Sequence, residues 1–82
     1  MPSTRRISRL KPIPYKTFEK FLLRVGCRFV RQKGDHRIYH KSGLIRPLVI
    51  PAEKSLPTFI IRNNLRVLGI STEEYLRILL DI

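Results

Sequence analysis

A glycine–aspartate pair, Gly34-Asp35, separates two strand-like segments in the middle of the chain and limits the possible folds more than any other feature. The segments are Cys27 to Lys33 and His36 to Lys41, and a two-residue connection between them predicts a tight antiparallel hairpin. Glycine suits the first turn position because it adopts the positive φ that such turns require. A third strand is predicted from Leu44 to Ile50, bounded by Pro51. The centre of the chain is therefore predicted to form a three-stranded antiparallel sheet.

Helical patterns flank this sheet on both sides in the sequence. Apolar residues recur at helical spacing from Tyr15 to Val25 and from Thr58 to Leu68, and a glycine follows each run. A last helix is predicted from Thr72 to Leu80, because Ser71 and Glu74 form a capping box at its start. The residues expected to be buried together in the core are Phe18, Phe21, Leu22, Val25, Ile61, Leu65 and Leu68.

The length of 82 residues allows a single domain. Residues 1–11 carry several basic side chains and no acidic one, and they are predicted to form a flexible basic arm. Residues 12–82 are predicted to form one α+β domain with the order α-β-β-β-α-α. That order matches the double-stranded RNA-binding fold, in which helices cover one face of the sheet and leave the other free.

The charge of the chain indicates what it binds. Seventeen Lys and Arg residues against 6 Asp and Glu residues give a net charge of +11, which favours a polyanion or an acidic protein as partner. The chain shows no secretory signal and no apolar run that would span a membrane. A single cysteine, Cys27, excludes an intramolecular disulfide and is interpreted as a buried apolar residue. The sequence therefore predicts a soluble, cytoplasmic protein without a membrane partner.

His36, directly after the predicted turn, is the first candidate for chemistry. An imidazole exchanges protons near neutral pH, and RNA supplies its own nucleophile, the 2′-hydroxyl. One positioned histidine with cations around the phosphate can therefore be sufficient for cleavage. The residues expected to hold an RNA backbone are Arg31, Lys33, Gly34, Arg37, Lys41 and Arg46. The residues alone leave open whether His36 is catalytic or an ordinary surface histidine.

His40 is the competing candidate, and the choice depends on the register of the hairpin. A regular two-residue hairpin pairs Lys33 with His36 and Phe29 with His40. One face of the second strand then carries His36, Ile38 and His40, and the other carries Arg37, Tyr39 and Lys41. A β-bulge would exchange the faces, so the sequence does not determine which histidine faces solvent.

Metal chemistry is not supported by the distribution of acidic residues. The six acids are scattered along the chain, and Asp35 with two nearby histidines is too small a ligand set. A Ser-His-Asp arrangement is equally unsupported. We therefore expect no metal and no other cofactor.

A resemblance to a known family adds to this interpretation. Gly26, the run RQKGDH from Arg31 to His36, and the strand from Leu48 to Pro51 resemble the HicA toxins, small RNA-cleaving proteins of bacterial and archaeal toxin–antitoxin pairs. The resemblance extends over roughly residues 12–80. It implies a fold like that of double-stranded RNA-binding domains and metal-independent cleavage of mRNA, with His36 as the catalytic residue. It also implies neutralisation by an antitoxin of the HicB family.

The sequence departs from the family pattern at two places outside the hairpin. Ala52-Glu53 replaces a frequent histidine or basic residue, and Leu56 to Phe59 replaces a frequent Gly-Thr-Leu at the start of the second long helix. Two other functions stay open: a non-catalytic RNA-binding module or inactive toxin relative that binds an acidic antitoxin, and a pure interaction protein. The free toxin is expected to be a monomer.

Overall fold

A computed structural model describes residues 10–82. Residues 1–9, which form most of the predicted arm, lie outside this range, so the arm stays a prediction. Leu10, also assigned to the arm, is buried in the hydrophobic core. The segment after Leu10 pairs with the residues just before the second long helix, because the amide of Leu56 donates a hydrogen bond to the carbonyl of Ile13 at 2.7 Å.

The structure confirms the predicted α+β order and the three-stranded antiparallel sheet. The elements are α1 (Tyr15–Arg24), β1 (Arg28–Lys33), β2 (His36–His40), β3 (Leu48–Pro51), α2 (Thr58–Leu68) and α3 (Thr72–Leu80). The strand order is β1-β2-β3, which leaves β1 at one edge and β3 at the other. This arrangement is consistent with a fold like that of double-stranded RNA-binding domains. Among the described residues, no helix has the length and apolar character needed to cross a membrane.

Local signals in the sequence account for most of the boundaries. Gly26 and Gly69 end the first two helices with φ of 99° and 72°, in the left-handed region that favours glycine. The Ser71 side chain accepts a hydrogen bond from the Glu74 amide at 3.1 Å, which confirms the predicted N-cap of α3. Gly34 begins the hairpin turn with φ of 62°, as the Gly-first turn requires.

The predicted start of β3 at Leu44 was wrong by four residues. The chain turns after β2, and the Leu44 amide donates to the carbonyl of Lys41 at 3.0 Å instead of joining the sheet. Pro47 has no amide hydrogen to donate to a ladder, so pairing with β2 begins only at Leu48.

The sheet buries one face against the helices. Tyr39 of β2 and Leu48 and Ile50 of β3 are fully buried, and they belong to the same core as the helix residues. The core residues contributed by the helices are Phe18, Phe21, Leu22, Ile61, Leu65 and Tyr75. Val25 and Leu68, which the sequence also assigns to the core, are only partly buried at its margin. The opposite face of the sheet, which we call the open face, is covered by no helix of residues 10–82.

The register of the hairpin differs from the regular one at a single point. Lys33 pairs with His36 and Arg31 with Ile38, as predicted, but Phe29 pairs with Tyr39 and not with His40. The pairing shifts because Val30 forms an extra residue in β1, which makes a β-bulge. Without the bulge, Phe29 would lie on the open face. With it, the Phe29 ring lies 5.6 Å from the buried Tyr39 ring.

One buried polar side-chain atom has no hydrogen-bond partner among the described residues. The Tyr75 hydroxyl lies behind an aromatic cluster in which the Phe21 and Tyr75 rings meet edge to face with centroids 4.8 Å apart. Burial raises the pKa of Tyr75 to about 12. Burying the hydroxyl therefore costs desolvation free energy, and no hydrogen bond to the described residues offsets this cost.

Tyr75→Phe is therefore expected to stabilise the protein. Removing the unpaired hydroxyl should raise the free energy of unfolding by about 1 kcal/mol, measured by urea denaturation. Tyr39→Phe is the matched control with the opposite sign, because the Tyr39 hydroxyl donates to Glu19 at 2.6 Å. A less stable Tyr75→Phe variant would contradict the assignment of an unsatisfied hydroxyl.

Candidate functional site

His36 is the first residue of β2 and lies where all three strands meet the hairpin turn. It is paired with Lys33 across β1 and with Pro51 across β3. Its side chain is 60% exposed, and its Nδ1 atom lies 3.3 Å from Oδ1 of Asp35. Within residues 10–82, no hydrogen bond or ion pair involves the other ring nitrogen, Nε2.

The burial of Tyr39 determines which face carries the histidines. Alternate residues of a strand point to opposite faces, and Tyr39 is fully buried against the helices. Arg37, two residues before it, shares this helix-covered face. His36, Ile38 and His40 therefore lie on the open face, and both histidines face away from the core.

Three cations of β1 share the open face with the two histidines. Lys33 lies opposite His36, and Arg28 lies opposite His40. Arg31, opposite Ile38, lies between them. None of the three cations forms an ion pair with an acidic side chain in the part of the chain that the structure describes. We call this set the open basic face: Arg28, Arg31, Lys33, His36 and His40.

Arg37 is separated from the open basic face by the sheet itself. Its Nη2 atom donates to Oε2 of Glu19 at 2.7 Å, and its Nε atom donates to the Tyr39 hydroxyl at 3.1 Å. Its guanidinium also lies 4.3 Å from the centroid of the Phe29 ring. The structure thus places Arg37 in a partly buried network below the sheet, away from the other expected RNA contacts.

The remaining expected contacts lie at three different places. Gly34 is in the turn beside His36, and an added Cβ there would meet no atom within 4 Å, so its backbone can be approached closely. Lys41 lies beside Gly26 at the end of α1, where a Cβ on residue 26 would come within 3.6 Å of its ammonium. Arg46 is exposed in the loop between β2 and β3. The structure therefore brings Arg31, Lys33 and Gly34 to His36, but not Arg37.

Three ionisable groups of the network under the sheet have shifted pKa values. Burial alone would raise the pKa of Glu19, but hydrogen bonds from Tyr39 and Arg37, with the positive charges of Arg37 and Lys16, hold it below its usual value. Burial and the hydrogen bond to Glu19 raise the pKa of Tyr39 to about 12. Hydrogen bonds to Glu19 and Tyr39 raise the pKa of Arg37 as well. Glu19 and Arg37 are thus held in their charged forms.

Sequence reasoning missed the network and part of the open basic face. Glu19 lies 18 residues before Arg37, so no local pattern in the sequence links them. Arg28 was overlooked because its pairing with His40 depends on the bulge at Val30. Within residues 10–82, no group of three or more His, Cys, Asp or Glu side chains is arranged to hold a metal ion.

The comparison with known protein families is decisive for classification. The model of the HicA toxin of bacterial toxin–antitoxin systems matches residues 15–70, more than half of the chain. The chain belongs to the HicA toxin family. The matched range begins with α1 and includes the whole sheet with His36, so the resemblance in the hairpin is confirmed. A search of curated proteins found no match. Membership in this family means that the chain is a toxin of a toxin–antitoxin pair.

Proposed function

We propose that this toxin is a metal-independent endoribonuclease that cleaves mRNA and uses His36 to transfer the proton. The observation that carries the proposal is the position of His36. It is an exposed imidazole directly opposite Lys33, on a face where Arg31 and Arg28 have no acidic partner among the described residues. Membership in a family of toxins supports the same assignment.

The proposed reaction uses the nucleophile that RNA itself carries. His36 takes the proton of a 2′-hydroxyl, and the 2′ oxygen forms a bond to the adjacent phosphorus while the bond from phosphorus to the 5′ oxygen breaks. The protonated imidazole or water returns a proton to the leaving 5′ oxygen. The products are a 2′,3′-cyclic phosphate and a 5′-hydroxyl end. Lys33 and Arg31 stabilise the negative charge that accumulates on the phosphate oxygens.

The RNA backbone is proposed to follow the open basic face. Phosphates contact Arg31 and Lys33 near the scissile bond, and the exposed backbone of Gly34 allows a phosphate to come close. Lys41, directly after β2, and Arg46, in the loop before β3, are proposed as more distant contacts. The protein partner is proposed to be an acidic antitoxin of the HicB type, since a net charge of +11 favours an acidic surface.

The proposal is tested by incubating the purified protein with a structured mRNA in EDTA. We expect fragments that end in a 2′,3′-cyclic phosphate, and we expect no cleavage where a 2′-deoxy nucleotide replaces the nucleotide before the scissile bond. A gel shift without fragments would support the RNA-binding module instead. If neither fragments nor a gel shift is observed, the result would support the pure interaction protein or an inactive toxin.

Salt provides a second readout in the same experiment. With four to six phosphate contacts on single-stranded RNA, the logarithm of the binding constant should fall with the logarithm of the salt concentration at a slope of roughly −3 to −4. The reason is that Lys and Arg side chains that bind phosphates release the counterions condensed on the RNA. A slope near zero would contradict binding of RNA by the open basic face.

A further inference from the structure

A continuous chain of hydrogen bonds connects helix α1 to the turn that carries His36. Arg37 donates through Nη2 to Glu19 at 2.7 Å and through Nη1 to Oε1 of Gln32, also at 2.7 Å. The amide of the Gln32 side chain then donates through Nε2 to the carbonyl oxygen of Gly34 at 2.9 Å. Gln32 is thus the link between the charged pair below the sheet and the backbone of the turn.

The turn is held from the other side by the chain after β3. The Ala52 amide donates to the Asp35 carbonyl at 2.7 Å. The peptide before Asp35 is therefore bonded to Gln32, and the peptide after it, which leads into His36, is bonded to Ala52. Two independent bonds thus restrain the backbone on both sides of the residue that precedes His36.

The position of β1 explains why the turn needs this restraint. Every residue of β1 is exposed, and the strand lies at the edge of the sheet. A hairpin with an exposed edge strand and a bulge gains little from packing, and its tip is prone to local opening. The partly buried ion pair of Glu19 and Arg37 anchors Arg37 to α1, and Arg37 in turn binds Gln32, which bonds to the hairpin turn.

We propose that Gln32, supported by Arg37 and Glu19, is a positioning residue that orients the hairpin tip for cleavage by His36. This inference rests on the proposed ribonuclease function. It assigns Arg37 a role in positioning below the sheet and not in contacting RNA. Gln32 acts through the Gly34 carbonyl, so its loss disturbs the geometry of the imidazole and leaves the cations of the open basic face in place.

Gln32→Ala is the first test, because it removes both bonds of the link. We expect kcat to fall roughly 10- to 100-fold, since small displacements of a catalytic group have effects of this size. KM and the affinity for RNA should stay within about 2-fold of wild type, because the cations of the open basic face that bind the phosphates are unchanged. Ser42→Ala, in the exposed loop after β2, is the control and should cleave at the wild-type rate.

Gln32→Glu separates positioning from a general effect on stability. The carboxylate still accepts from Arg37, but it cannot donate to the Gly34 carbonyl. We therefore expect the thermal stability of Gln32→Glu to be at least that of wild type, while kcat stays as low as in Gln32→Ala. Recovery of kcat together with stability would overturn the proposal, because the link to Gly34 would then be dispensable. A wild-type kcat in Gln32→Ala would overturn it equally.

Backbone relaxation measured by NMR tests the restraint without relying on activity. The order parameters of the Asp35 and His36 amides should be near those of a rigid backbone, about 0.85, in wild type and should fall toward about 0.6 in Gln32→Ala. Unchanged order parameters would overturn the proposed restraint. If wild type itself fails to cleave RNA, the ribonuclease function fails, and these order parameters still decide whether Gln32 holds the turn.

Discussion

Replacement of His36 by alanine is expected to lower the rate of RNA cleavage by about 10²–10⁴-fold, the usual contribution of a general acid or base. The loss should appear in kcat, because the proton acceptor is removed while Lys33 and Arg31 still hold the RNA backbone. The side chain of His36 is largely exposed, so folding and RNA affinity should stay close to wild type. Single-turnover cleavage and a binding titration on the same preparation measure both quantities.

His40→Ala is the matched control for this experiment. His40 is on the same face of the same strand, four residues further along and opposite Arg28, so its replacement changes the surface in the same way without removing the proposed proton acceptor. We expect its cleavage rate to be far less affected than that of His36→Ala. Cleavage at nearly the wild-type rate in His36→Ala, in protein free of host ribonucleases, would defeat the mechanism.

Truncation of the core is expected to have the largest effect on stability. Phe21 is fully buried and contacts the rings of Phe18 and Tyr75. Phe21→Ala should therefore lower the free energy of unfolding by about 3–5 kcal/mol, through lost burial and the cavity that remains. Leu65 is 3% exposed, and Leu65→Ala should cost about 2–5 kcal/mol. Either loss is a large part of the total of about 5–15 kcal/mol typical of a native protein.

Leu80→Ala is the control for the core variants. Leu80 is an apolar residue of α3 like those in the core, but it is 89% exposed, so its truncation should change stability by less than about 0.5 kcal/mol. Urea denaturation followed by circular dichroism compares the three variants. A Phe21→Ala protein as stable as Leu80→Ala would contradict the packing of α1 against α3.

The local elements of the fold were predictable because short-range chemistry decides them. The bounds of α2 and α3 match those predicted, since Gly69 after α2 and Ser71 before α3 act on the residues next to them. The turn at Gly34 was predictable for the same reason, because a positive φ depends on the residue itself. Family membership was also predictable, since the hairpin motif around His36 and the order of elements can be read from the sequence.

The arrangement of the site depends on contacts between residues that are distant in sequence. Which face of β2 carries His36 follows from the burial of Tyr39 against the helices, and neither face of that strand is apolar enough to show this in advance. The pairing of Phe29 depends on the bulge at Val30, which has no reliable signature in a single sequence. Arg37 has the same charge and hairpin location as Arg31, so sequence reasoning gave both the same role.

The sequence by itself thus determined the helices, the hairpin turn, the strong positive charge and the family of this protein. Only the tertiary structure decided that Arg37 binds Glu19 under the sheet, and that Gln32 connects this pair to the turn beside His36. The physical reason is that turns, caps and helical spacing depend on neighbouring residues, whereas the partner of a charged side chain depends on which distant groups the folded backbone brings within hydrogen-bond distance.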